Sequence, residues 1–207
     1  MRKGFYYFLF AAVIIGSLMT YFKIQRDKKM ENPNLTDLAV EPDLLMSTAD
    51  RNFHDHKDLT AIEFLEDAIK TMKLLENDGD SVSIQAIELA IHDLEVVEDH
   101  IKTEDINDDL MYEAFADAMN SLAFASLRIS EKYIKEGKNE EAKVTIDHAM
   151  DHLQNSIKFA RGQQKEDEIR IASHLQTIIE NHWEDDLSQI DIVMAEIDSV
   201  VQAHVIK

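Results

Sequence analysis

Along most of this chain apolar residues recur every three or four positions, the spacing that gathers side chains onto one face of an α-helix. Ile62, Leu65, Ile69, Met72 and Leu75 share such a face and predict a helix over 59–77, stopped by Asp78-Gly79-Asp80. Ile84, Ile87, Ile91, Leu94, Val97 and Ile101 predict a second over 81–102. A third runs over 106–136 to Gly137, with Glu104, Asp105, Asn107, Asp108 and Asp109 supplying an N-cap and negative charge for its first turn. A fourth, over 139–162, ends at Arg161-Gly162.

The last segment, 165–205, reads as one long helix or two. Ile171, Leu175 and Ile178 step by four and three; Trp183, Leu187, Ile190, Met194, Ile197, Val201 and His204 resume the stepping after a gap of five. Asp186 followed by Gln189 resembles a capping box, so a kink or restart is expected within 182–186. A sustained 3.5 period is that of a coiled-coil seam. Leu187, Ile190, Met194, Ile197 and Val201 therefore form a stripe that the domain or another chain must cover, and they are the partner-binding candidates.

Two segments depart from this pattern. Residues 4–22 are apolar and uncharged, and a helix of that length spans about 30 Å, the thickness of a bilayer's hydrocarbon core. The run exceeds the apolar region of a cleaved signal peptide and shows no small-x-small cleavage site. Tyr6, Tyr7 and Tyr21 near its ends suit the membrane interface. It is read as a retained single span, with residues 1–29 forming an anchor with basic flanks. Two Lys/Arg precede the span and four come after it within 1–29, a bias that places the C-terminal domain in the cytoplasm. The short basic tail of a signal anchor argues the opposite, and the balance is read as an extracytoplasmic domain. Residues 30–58 hold both prolines, Pro33 and Pro42, and no sustained period; they read as a flexible stalk.

The expected fold is thus all-α: an N-terminal transmembrane helix, a stalk, and a bundle or short array of five to six antiparallel helices over 59–207. Hairpins over 59–103 and 106–162 precede the long C-terminal segment.

Charge narrows the partners. The chain carries −20 overall, yet residues 1–29 hold six Lys/Arg and one Asp. The other 178 residues therefore hold 15 Lys/Arg against 40 Asp/Glu, a charge of −25. No basic stripe lies beyond residue 29, so no nucleic acid is expected as a partner. Apolar residues at 45% suffice for a packed core, so the acidity is read as solvated surface. Without cysteine there is no disulfide and no Cys-linked lipid.

Candidate chemistry is thin. Asp105, Asn107 and Asp109 have the spacing of a calcium loop, but Leu110 stands where that loop needs Gly and Ala116 where it needs Glu. Among nine histidines, His148 and His152 lie four apart on one helical face near Asp147 and Asp151, and are the candidate metal ligands. No Glu-x-x-His, His-Glu-x-x-His, Gly-x-Ser-x-Gly or phosphate-binding glycine loop occurs. No catalytic or cofactor-binding residue is assigned, no cofactor is expected, and the chain is read as a non-enzyme.

The segment Ile87–Leu94 repeats the apolar pattern of Ile146–Leu153, with Ala90 matching Ala149, and Gly79 and Gly137 hold the preceding turns. From Tyr133 through Gly137, Glu141 and Ala142 to Ala149, residues 132–150 resemble the turn and second helix of a tetratricopeptide repeat. The spacing of 59 residues departs from that family's 34, and no terminal Pro appears. The resemblance implies a helical-hairpin scaffold that binds other proteins. The expected function is a membrane-tethered scaffold or adaptor with an unidentified protein partner and possible self-association. The alternative is a metal- or pH-responsive sensor using the histidines.

Overall fold

A computed structural model describes residues 40–75, 79–103, 106–181 and 188–204. Seven helices make up this region: α1 (Glu41–His54), α2 (Asp58–Leu75), α3 (Ser81–Lys102), α4 (Asp108–Lys135), α5 (Asn139–Phe159), α6 (Gly162–Glu180) and α7 (Ser188–His204). Each packs against the next, and α4 also packs against α7. The described residues contain no strand, so the region is all-α. No described helix is long and apolar enough to cross a membrane; the span read over 4–22 lies outside the described residues.

The centre of the fold is α4. Every residue from Ala114 to Ala125 is buried, so this stretch is covered on all sides rather than along one stripe. Met111, Phe115, Met119 and Leu122 join a core with α1, α2, α3 and Phe159. Ala123, Phe124 and Leu127 join a second core with α5, α6 and α7. Alanines at 114, 116, 118, 123 and 125 keep this surface thin, which lets neighbouring backbones approach closely.

Polar residues at the helix ends fix where each helix begins and turns. Asp80 caps α3, accepting from Ser83 N at 2.9 Å, and Asn107 caps α4, accepting from Leu110 N at 2.9 Å. At the α4–α5 turn Gly137 adopts φ +72°, while Lys138 N bonds Tyr133 O and Gly137 N bonds Ile134 O. That pair of bonds closes a Schellman turn, whose left-handed residue favours glycine. The α1–α2 turn repeats the arrangement with His56 at φ +56°, Lys57 N on Asn52 O and His56 N on Phe53 O.

The stalk reading of 30–58 is corrected over Glu41–His54. This segment is helical, with Pro42 in the first turn, where a missing N–H costs no hydrogen bond. Leu45, Met46 and Ala49 are buried in the first core, and α1 packs on α2. The long C-terminal segment is two helices: α6 ends at Glu180 and α7 starts at Ser188. The restart expected within 182–186 falls outside the described residues.

Candidate functional site

The partner-binding stripe is mostly covered by the domain itself. Ile190 and Ile197 are fully buried and Met194 nearly so, all in the second core, while Val201 packs partly against it. Leu187 lies outside the described residues. Val193 and Val200 are buried beside them, so α7 buries a broad stripe of six positions rather than a narrow coiled-coil seam. Ile190 and Ile197 are corrected from partner-binding candidates to core residues, because no surface remains on them to offer.

One member of the histidine pair is taken up by a carboxylate. His152 is buried, and its Nδ1 donates to Asp43 Oδ1 and Oδ2, each at 2.9 Å. Asn155 Nδ2 donates to the same carboxylate at 2.8 Å. This imidazole anchors α1 to α5. Burial, followed by the neighbouring His152, lowers the His148 pKa, which keeps that half-buried ring neutral near pH 7. Among the described residues no three His, Asp or Glu side chains converge as a metal site.

What the α7 packing leaves open is a groove of about 430 Å³ between α3, α4 and α7. Phe124 of α4 and Met194 of α7, both buried, form its base with Ala86 and Val201. Val82 and Leu89 of α3 rise beside it, 49% and 40% exposed. Gln85, Arg128, Asp191 and Asp198 supply its polar lining. Arg128 is held by acids: its Nε donates to Asp80 Oδ2 at 3.0 Å and another guanidinium nitrogen donates to Glu131 at 3.2 Å. Counting those partners, four carboxylates stand against one guanidinium around the groove. A groove of this kind can take up an apolar side-chain row flanked by positive charge.

No family model, curated protein or solved structure matches this chain.

Sequence reasoning found Met194 and Val201 but not the α3 side of the groove. The signal was present: Val82, Ala86 and Leu89 form a second, weaker apolar row beside the main stripe of Ile87, Ala90, Ile91 and Leu94. An apolar row outside a helix's core stripe marks a face that a neighbour or a ligand can use.

Proposed function

We infer that this chain is a membrane-tethered helical adaptor whose groove between α3, α4 and α7 holds a basic amphipathic segment of a partner protein. The groove is the observation that carries the reading: half-exposed Val82 and Leu89 flank an apolar base edged by Asp191 and Asp198. The charge of −25 outside residues 1–29 supports a cationic partner, since it raises the local concentration of positive segments and repels acidic ones. The tether rests on the apolar run 4–22 with its basic flanks. The helical-hairpin likeness of residues 132–150 to a tetratricopeptide repeat agrees with a binding role, because such hairpins serve as scaffolds rather than catalysts.

The test is fluorescence anisotropy of the full-length chain in mild detergent with a labelled Leu/Lys amphipathic peptide and its Leu/Glu counterpart. The Leu/Lys peptide should bind and the Leu/Glu peptide should not. Val82→Ser with Leu89→Ser should weaken binding at least about tenfold. Equal affinity for both peptides, no binding at all, or unchanged affinity in the double variant would remove the groove from the reading.

A further inference from the structure

Acid side chains rarely enter a helix-bundle core. This domain carries two in one layer, where α6 meets α4. Asp117 of α4 and Glu168 of α6 are both almost wholly inaccessible to solvent. Gln164 Nε2 donates to Asp117 Oδ1 at 2.9 Å, and Asn120 Nδ2 donates to Glu168 Oε1 at 2.8 Å, so two buried bonds cross from α4 to α6. Ser156 Oγ of α5 donates to the other Glu168 oxygen at 2.8 Å.

The layer is short of donors. Asp117 Oδ2 and Asn120 Oδ1 are both buried without a hydrogen-bond partner, and so is Ser121 Oγ on the same face. Positions 117, 120 and 121 stack on one side of α4, the spacing of residues three and four apart. An ionised carboxylate accepts only, and an orphaned acceptor in a dry core is costly, more so if charged. A proton on Asp117 turns one of these acceptors into a donor and removes the charge.

We propose that Asp117 is a proton-operated latch: the folded domain holds this carboxyl neutral between α4 and α6, and loss of the proton releases α6. The leading charges acting on it are acids: Glu113 one turn earlier on α4, Asp93 of α3 and Glu168 of α6. From α5 comes uncharged Ser156, and His152 one turn before it is occupied by Asp43. Asp93 is itself pushed up, first by burial and then by Glu113, against the lowering influence of His92. Burial foremost, then these acids, raises Asp117 from 3.8 to about 8, which agrees with the geometry. The latch is independent of what the α3–α4–α7 groove binds, since none of these residues lines that groove.

Linkage sets the sign. Opened α6 exposes Asp117 to water, where it ionises at its ordinary value, while the closed form keeps the proton up to about pH 8. Opening therefore becomes easier by about tenfold per pH unit from about pH 5 to 8, then levels off. Hydrogen exchange of the full-length chain, corrected for intrinsic base catalysis, reads this directly in peptides from Gly162–Glu180. The wild type should lose α6 protection along that slope and Asp117→Asn should be flat. A flat wild type, or an unchanged slope in the variant, overturns the proposal. If Asp117→Asn does not fold, the carboxyl carbon resonance of Asp117 in the wild type decides: a midpoint below about pH 6 overturns it. Calcium chloride added at about pH 9 should leave wild-type α6 protection unchanged. Protection restored by calcium in the wild type alone overturns the proton latch in favour of a cation site.

Discussion

His152 Nδ1 lies 2.9 Å from both carboxylate oxygens of Asp43, although 109 residues separate the two in sequence. Both side chains are buried, so the pair joins the first turn of α1 to the middle of α5 out of reach of solvent. Removing one partner leaves the other desolvated with nothing to compensate it. His152→Ala and Asp43→Ala should each lower stability by about 3–5 kcal/mol in urea unfolding. The double Ala variant should lose clearly less than the sum of the two. Strict additivity would show that the contact carries no coupling energy.

Asp80 should report its cap through acid titration. Burial raises its carboxyl, but hydrogen bonds from Arg128 and Ser83 outweigh that and hold it down at about 2. The folded value lies below the unfolded one, so this stabilisation is present above about pH 4 and is lost as pH falls toward 2. Asp80→Ala should cost about 1 kcal/mol at neutral pH, and the gap from wild type should close on acidification. A constant gap between about pH 6 and 2 would assign the loss to packing instead.

His56 is a site for stabilisation. It holds φ +56° in the turn between α1 and α2, a conformation that costs an L-residue about 1–2 kcal/mol and glycine nothing comparable. After allowing for glycine's greater freedom in the unfolded chain, His56→Gly should raise stability by about 0.5–1 kcal/mol. A lower melting midpoint would mean that the His56 ring makes a contact of its own.

The core stripe of α7 and the rim of the groove should respond differently. Ile190→Asp places a charge in the second core and should destabilise by about 3 kcal/mol or more, detected as loss of the cooperative unfolding transition at moderate urea. Leu89→Ser, at a half-exposed position, should stay within about 0.5 kcal/mol of wild type while weakening peptide uptake. A Leu89→Ser chain as unstable as Ile190→Asp would place Leu89 in the core.

Where apolar period and end chemistry agree, the sequence sufficed to draw the fold. Ile87, Ala90, Ile91 and Leu94 are buried on α3, as are Ile146, Ala149, Met150 and Leu153 on α5, in the register that the internal echo implies. Gly137 ends α4 and Asn107 starts it. Glu41–His54 escaped because its buried set is short and two prolines lie in the surrounding segment, a pattern shared with a linker. The acid layer escaped for a different reason. Gln164 and Glu168 continue the inward face of Ile171, Leu175 and Ile178 at a helical step, but a polar residue on that step reads as the edge of a stripe. The groove needed the third dimension, since α7 is far in sequence from the consecutive helices α3 and α4 and meets them only because it folds back onto α4.

The succession of neighbours has a consequence for how this chain reaches its native state. Connections between consecutive helices run from two residues at 160–161 to seven at 181–187, so nearly all docking steps close small loops. Helix-by-helix assembly should accordingly be rapid, on the millisecond side of the range for domains this size. Other closures join distant stretches, among them α7 onto α4, the α4–α6 bonds at Asp117 and Asn120, and Asp43 onto His152. None of these can form until α5 has already turned back at Gly137. The link from α1 to α5 is thus expected to form late, although α1 docks early on its neighbour α2.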